Sequence, residues 1–288
     1  MRIGFAGLGV MGGPMARHLV AAGHDAAGFN RSPDKARAWA EANGGRFAAT
    51  VAEAAEGAEL FVLCVGNDDD VRQVVTEALP HLAESAVIVD HTTTSARVAR
   101  EMAEAASRTG VAFIDAPVSG GQAGAENGQL SVLAGGDAGA LARVEPLLKA
   151  YSKAIQHMGP AGSGQLTKMV NQICIAGVVQ GLAEAVTFAQ AAGLDTDAAL
   201  AAVSKGAAQS WQMENRWQTM ARGEFEFGFA VDWMRKDLGL VLDEARANGS
   251  ALALTAMVDQ FYAEVQAMGG ARWDTSSLAA RLQDRARR

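Results

Sequence analysis

Short apolar, β-rich runs alternate with stretches of helical periodicity through the first half of the chain, at residues 3–6, 24–29, 60–65, 86–90 and 111–114. That rhythm predicts βαβ units. Between two of these runs, residues 68–79 show helical periodicity and open on Asp68, Asp69 and Asp70, acidic groups that suit the positive end of a helix dipole. Two further strand candidates, 129–134 and 153–157, flank another helix, so the expected sheet is large.

From about residue 164 the strand signals disappear. The stretch to about residue 191 reads as one helix of about 28 residues, about 42 Å long at about 1.5 Å per residue and long enough to bridge two domains. Gly177, Gly181, Ala185 and Ala189 recur along it every four residues. They form a smooth stripe on which another helix can approach closely, and packing is expected to offset the helix propensity that the glycines cost. Beyond Gly193 only helices are expected, with Asp195 and Thr196 as start signals, Gly223 and Gly249 as breaks, and an amphipathic run over 232–246.

Composition narrows the class. A chain of 288 residues predicts two domains, and 49% hydrophobic with 20% charged residues excludes disorder and collagen-like structure. A formal net charge of −7 disfavours a nucleic-acid partner, which needs a basic face. Arg281, Arg285, Arg287 and Arg288 do not reverse that balance and read as a solvated helix end. Cys64 and Cys174 stand far apart in apolar surroundings, so buried, reduced thiols are expected rather than a disulfide or zinc site. The chain opens directly on a strand-like stretch, and no uninterrupted apolar run approaches about 18 residues, so neither a signal peptide nor a membrane span is expected. A cytoplasmic location fits.

Gly7-Leu8-Gly9-Val10-Met11-Gly12 follows the first strand at once and opens a helix. In this context the first glycine permits the tight turn and the second lets a pyrophosphate approach the backbone. The third allows close helix-to-strand packing, with the helix N-terminus facing the phosphates. An NAD-binding chain usually carries Asp or Glu at the end of the second strand to accept from the ribose hydroxyls. Here Asn30, Arg31 and Ser32 stand there instead, a cation and a hydroxyl donor with no adjacent carboxylate, which points to NADP(H) in preference to NAD(H). Val65, Gly66 and Asn67 end another strand at the same sheet edge, where backbone can line the nucleotide. Thr93, within Thr92-Thr93-Thr94, is either a cofactor contact or part of the cap of the helix beginning near Ser95.

Two segments offer substrate chemistry. Asp115-Ala116-Pro117-Val118-Ser119-Gly120-Gly121 ends in small residues whose amides suit an anion such as a carboxylate. Gly162-Ser163-Gly164 leads into the long helix, where Lys168, Asn171 and Gln172 share one face at i, i+3 and i+4. In a dry cleft the pKa of a lysine falls, which lets it exchange a proton with a substrate hydroxyl. The five histidines are scattered and no ligand-spaced cluster implies a metal; His91 and His157, at strand ends, read as structural. Trp211, Trp217, Phe225, Phe227, Phe229 and Trp233 read mostly as core or subunit interface, with Trp211 and Phe229 the candidates for closing a substrate pocket.

The chain resembles the β-hydroxyacid dehydrogenase family, which includes 3-hydroxyisobutyrate dehydrogenase, tartronate semialdehyde reductase and the glyoxylate and succinic semialdehyde reductases. Four motifs carry the resemblance in order: Gly7 to Gly12 with Pro14-Met15, Asp115 to Gly121, Gly162 to Lys168 with Asn171-Gln172, and Lys236-Asp237-Leu238. The resemblance implies an α/β Rossmann-type doubly wound sheet over residues 1–161 and an all-α C-terminal domain over 192–288, joined by a long interdomain helix over 162–191. It also implies Lys168 as acid/base, Ser119, Gly120 and Gly121 holding a substrate carboxylate, Asn171 orienting the substrate, and Lys236 contacting the cofactor. Family members often carry Asn where this chain has Gln172, so which amide reaches the substrate stays open. Asn30-Arg31-Ser32 resembles the NADPH-using semialdehyde reductases. A small carboxylate-bearing substrate and self-association as a dimer or tetramer are expected. An imine reductase of similar layout and a non-catalytic NADP-binding scaffold are the rival readings; retained Lys168 disfavours both.

Overall fold

The computed structural model describes residues 1–287, with side chains to Asp284. Contacts divide the chain into two compact units, Met1–Lys168 and Met169–Arg288, so the boundary falls inside the long helix.

The first unit is built on a nine-stranded sheet: β1 (Arg2–Ala6), β2 (Asp25–Phe29), β3 (Arg46–Phe47), β4 (Leu60–Leu63), β5 (Val87–Asp90), β6 (Ala112–Asp115), β7 (Val118–Ser119), β8 (Leu130–Gly135) and β9 (Ser152–Gly159). Its order is β3-β2-β1-β4-β5-β6-β8-β7, with β9 also on β8. The first six in that order are parallel, and β8 runs antiparallel to β6 and β7. Each predicted strand is present within a residue or two at its ends. The two-residue strands β3 and β7 have no counterpart in the sequence pattern, being too short to leave an alternation.

Helices α1 (Gly12–Ala21), α2 (Pro33–Asn43), α3 (Val51–Ala55), α4 (Asp68–Ala78), α5 (Ala96–Ser107), α6 (Gly121–Glu126) and α7 (Ala138–Leu148) cover the sheet. Successive strand side chains point to opposite faces, so the sheet feeds two cores. Ile3, Phe5, Leu60, Val62, Val87 and Val89 meet Met15, Leu19, Trp39 and Leu141 on one face. Phe61, Leu63 and Ile88 meet Val51, Val71, Val75, Val98 and Met102 on the other.

Helix α8 (Ser163–Ala191) has 29 residues, one more than the pattern indicated. It is long and apolar enough to cross a membrane by length and composition, a property that unbroken apolar runs alone do not reveal. One face of it enters a protein core instead: Val179, Leu182 and Val186 pack with residues of α10 (Trp211–Arg222), α11 (Val231–Asn248), α12 (Ala253–Ala267) and α13 (Leu278–Arg287). The expected helix signals hold there. Asp195 caps α9 (Thr196–Val203), and Gly223 and Gly249 end α10 and α11 in left-handed conformation.

Two expectations, the buried thiols and the solvated Arg281, are corrected, and two stretches prove partly exposed within the chain. On the small-residue stripe, Gly181 and Ala185 are exposed, and a side chain at Gly181 would meet nothing within 4 Å, so intrachain packing does not offset that glycine. Cys174 is exposed and Cys64 only partly covered, because helical phase turns Cys174 away from the core that Ala176 and Val179 enter. Of the six aromatic residues, only Trp217 and Phe225 are core; Trp211, Phe227, Phe229 and Trp233 are exposed in the chain. Arg281 is buried, its guanidinium bonded to Glu264 at 2.7 Å and stacked 3.6 Å from the centre of the Phe261 ring. The side chains of Arg285 and Arg287, and all of Arg288, lie outside the described residues.

Candidate active site

The sheet register aligns the strand ends. Ala6 lies opposite both Phe29 and Leu63, Leu63 opposite Asp90, and Asp90 opposite Asp115. Each candidate segment of the first unit leaves its strand at this one carboxyl edge, where open α/β sheets bind ligands.

The three glycines of the first turn differ in what a side chain would meet. Gly7 has φ of +95°, and a side chain there would strike the Cys64 carbonyl oxygen at 2.2 Å. A Cβ at Gly12 would lie 1.9 Å from the Gly7 carbonyl oxygen, so helix and strand approach as closely as backbone permits. At Gly9 nothing lies within 4 Å, which leaves the approach that a pyrophosphate needs. Met11, at the N-cap of α1, contributes no side-chain acceptor to the helix's first amides, and Val10 is exposed. These residues fit a dinucleotide.

The end of β2 is more structured than its sequence suggested. Asn30 Oδ1 accepts from the Leu8 amide at 3.1 Å and its Nδ2 donates to the Ser32 carbonyl at 3.3 Å, so Asn30 straps the glycine turn to the next strand. Arg31 is 89% exposed, and Ser32 precedes α2 at the surface. No carboxylate stands next to Arg31 in the sequence, but the fold brings one: Asp70 Oδ1 lies 3.5 Å from the Arg31 guanidinium, and its Oδ2 accepts from the Gly66 amide at 3.1 Å. The tie between Asp70 and Gly66 has a local signal, an acid four residues after the glycine. Its meeting with Arg31 has none.

Asn67 caps α4 by accepting from the amides of Asp69 and Asp70. Val65 donates its amide to Thr92 Oγ1 at 3.0 Å. Ser95, not the threonines, caps α5, which resolves the two readings of that stretch in part: Thr92 and Thr94 are buried braces and Thr93 is half-buried at the edge.

Ser119 is half-buried in β7, and Gly120 and Gly121 follow it with φ of +127° and +62°. Lys168, half-buried in the second turn of α8, donates from Nζ to the Val118 carbonyl at 2.9 Å. The structure therefore brings the lysine to the segment that ends in Ser119, Gly120 and Gly121. Asp115, buried at the start of that segment, accepts from the amides of Gly162 at 2.7 Å and Gln165 at 2.9 Å. Burial pushes its carboxyl up to about 6, against the opposing pull of those amides. Gln165 in turn donates to the Thr92 carbonyl at 2.7 Å and accepts from the Thr94 amide at 3.0 Å.

In the second unit Gln172 is buried and donates to Asp237 Oδ2 at 2.7 Å; Asn171, half-buried, donates to Gln172 Oε1 at 2.8 Å. Lys236 Nζ lies 3.2 Å from Asp237 Oδ1. Asp237 thus joins the amide pair and Lys236 in one network. Sequence reasoning assigned Asp70 only a helix-dipole role and named no contact for Asp115, Gln165 or Asp237. Among the described residues, no group of three or more His, Cys, Asp or Glu side chains forms a metal-holding cluster.

His91 is fully buried, Nδ1 2.6 Å from the Ala116 carbonyl oxygen and Nε2 2.8 Å from the Tyr151 hydroxyl. A neutral ring satisfies both, Nδ1 donating and Nε2 accepting, and burial pushes its pKa down to about 4. The unfolded chain takes up this proton near pH 6.5 and the folded chain only near 4, so acidification across that window weakens folding, by up to about 3 kcal/mol. Asp115 acts oppositely, since its raised folded pKa favours the fold as pH falls through about 6. The His91 contribution is isolated by urea unfolding of wild type against His91→Asn. From pH 7 to pH 4 the stability of wild type relative to the variant should fall; parallel pH profiles would exclude His91 as the acid-sensitive group.

Comparison with known proteins fits this arrangement. The family model described as the NAD binding domain of 6-phosphogluconate dehydrogenase matches residues 2–159, and that described as NAD-binding of NADP-dependent 3-hydroxyisobutyrate dehydrogenase matches residues 162–282. The chain belongs to the 3-hydroxyisobutyrate dehydrogenase family. It is 59% identical to an uncharacterized oxidoreductase of Shewanella frigidimarina, over 98% of both chains. It is 31% identical to 2-(hydroxymethyl)glutarate dehydrogenase of Eubacterium barkeri, over 96% of both. A solved structure of 3-hydroxyisobutyrate dehydrogenase from Mycobacterium tuberculosis with L-serine, 32% identical, superposes with a TM-score of 0.90 over 97% of this chain and 98% of that one. Members of this family are NAD(P)-dependent hydroxyacid dehydrogenases, oxidoreductases that act on CH–OH groups. An imine reductase from Pseudomonas sp., 20% identical with a TM-score of 0.62, shares the fold alone.

Proposed function

We propose that this chain interconverts a small, carboxylate-bearing β-hydroxyacid and its aldehyde or semialdehyde with NADP(H), and that Lys168 transfers the proton. The observation that carries this reading is the 2.9 Å bond from Lys168 Nζ to the Val118 carbonyl, which sets the amine beside the Ser119-Gly120-Gly121 turn. NADP(H), when bound, supplies the nicotinamide ring that exchanges the hydride. The residues suited to hold it are Gly7 to Gly12, Asn30, Arg31 and Ser32, the Val65-Gly66-Asn67 turn, Thr93, and Lys236.

In the oxidative direction the neutral Lys168 amine accepts the hydroxyl proton as the carbon–hydrogen bond gives up its hydride and the carbonyl forms; in the reductive direction the ammonium returns the proton to the forming alkoxide. Ser119, Gly120 and Gly121 hold the carboxylate and so fix the reacting carbon relative to the amine. Asn171 orients the substrate, with Gln172 locked to Asp237 as its support. L-serine, with which the Mycobacterium tuberculosis relative was solved, is itself a 3-hydroxy acid, and this supports the substrate class.

The test is a panel of glyoxylate, succinic, tartronate and methylmalonate semialdehydes, their hydroxyacids and a cyclic imine, each with NADPH or NADH and the oxidised forms. Turnover of an aldehyde acid with NADPH is the expected result. Turnover of the imine alone would replace this reading by the imine reductase one. Exposed Val170, Val178 and Phe188 along α8, with Trp211, support self-association as a dimer or tetramer, which sedimentation velocity checks.

A further inference from the structure

We propose that Asp115 is a positioning residue for Lys168: by pinning the first turn of α8 to the sheet edge, its carboxylate decides where the lysine amine stands. This rests on the reading of Lys168 as the proton-transfer group.

The acceptor that the lysine uses is held in place. The Ala116 amide donates to the Asp90 carbonyl at 2.7 Å, the Ala116 carbonyl oxygen lies 2.6 Å from His91 Nδ1, and the Pro117 carbonyl accepts from the Leu133 amide at 3.0 Å. Residues 116–118 are therefore fixed from three sides, and Val118 presents its carbonyl from a rigid segment. What remains to be set is the helix that carries the amine. Helix starts leave amides without intrahelical partners, and a side-chain acceptor placed there fixes both the starting residue and the helix direction. Asp115 supplies that acceptor from outside the helix, through Oδ1 to Gly162 and Oδ2 to Gln165.

The contact leaves no slack. A Cβ at Gly164 would lie 2.3 Å from the Leu133 carbonyl oxygen and 2.5 Å from that of Asp115, and one at Gly135 would lie 2.6 Å from Asp115 Oδ1. Two glycines thus let the helix start press against the sheet backbone around the carboxylate. Gln165, three residues after Gly162 and itself pinned by Asp115 Oδ2, ties the same helix to the Thr92–Thr94 segment. The result is a closed circuit of short segments, from Asp115 through Val118 to Lys168 and back along α8 to Gly162. Asp115 acts on the lysine through the helix that carries it. Its effect passes through the two residues of helix, Leu166 and Thr167, between Gln165 and Lys168.

A double-mutant cycle tests this on the full-length enzyme with NADPH. Asp115→Asn keeps the volume but loses the ionised acceptor pair. It should lower kcat by about 10- to 100-fold, the scale expected when a reacting group is misplaced by about 1 Å. KM for the aldehyde acid and the NADPH dissociation constant, read by fluorescence titration, should stay within about threefold, because neither depends on the amine's placement. In a Lys168→Ala background, where there is no amine to place, the same substitution should change the residual rate by less than about twofold. An equal penalty in both backgrounds would show that Asp115 acts on the fold in general and would overturn the proposal. Asp115→Ser, a smaller acceptor, runs through the same cycle if the Asn variant does not fold. Failure of both to fold overturns the proposal as well. Undiminished turnover in Lys168→Ala alone would instead remove the lysine reading, and this inference with it; a slow Lys168→Ala enzyme with additive penalties removes this inference only.

Discussion

Lys168→Ala is expected to lower turnover about 10²- to 10⁴-fold while leaving NADPH affinity nearly unchanged, the range over which a positioned acid or base accelerates proton transfer. The amine stands apart from the glycine turn in the chain and bonds to the Val118 carbonyl, so its removal deletes a proton carrier without disturbing the phosphate cradle. Truncation also strands that carbonyl of its donor, a cost of about 1 kcal/mol that a thermal melt registers separately from rate. Lys168→Arg separates charge from proton transfer: it restores a cation in place, but a guanidinium does not give up its proton as an amine can. Turnover should stay low in the Arg variant. Wild-type turnover in both variants, with NADPH still bound, would sink the assignment.

The second large effect is on cofactor choice. Arg31→Asp should weaken NADPH binding by about 10- to 100-fold, the equivalent of losing one or two charge-assisted hydrogen bonds to a phosphate, and should weaken NADH binding far less. Arg31 is almost wholly in water, so its attraction for a 2′-phosphate is screened and the contrast should shrink as salt is raised from low to physiological concentration. Asp70 complicates the charge picture that the sequence presented. It already neutralises part of the guanidinium at 3.5 Å and is itself held by the Gly66 amide. An incoming phosphate therefore meets a cation with a tethered competitor. Titration of both variant and wild type with NADPH and NADH, at two salt concentrations, decides it; equal NADPH affinity for the two proteins would refute the role given to Arg31.

The fold was legible where one segment carries its own signal. Strands such as residues 60–63 announce themselves by composition, and the glycine turn by the spacing of Gly7, Gly9 and Gly12, because the demands on those glycines come from atoms close in space and mostly close in sequence. The cap residues Asp195, Gly223 and Gly249 were readable for the same reason. What escaped depended on partners far along the chain. Asp115 sits inside a motif that the sequence displays, yet its amides lie 47 and 50 residues on. Arg281 reads as one of a run of surface arginines until Phe261 and Glu264 are brought to it. Apolar neighbours in sequence suggest buried surroundings for Cys174 and Gly181, whereas helical phase decides which of those neighbours face the core.

The unbroken course of α8 through Lys168, Asn171 and Gln172 makes reading frame along the helix a constraint on how this enzyme can change. Each residue advances the helix by about 100°, so inserting or deleting one position between the lysine and the amide pair swings everything downstream about a quarter-turn out of phase. A substitution there leaves the helical phase intact, whereas a change of length does not. A chimera that grafts the helical half of a relative onto this sheet must therefore splice without gaining or losing a residue, and lineages of the family should accumulate their insertions elsewhere.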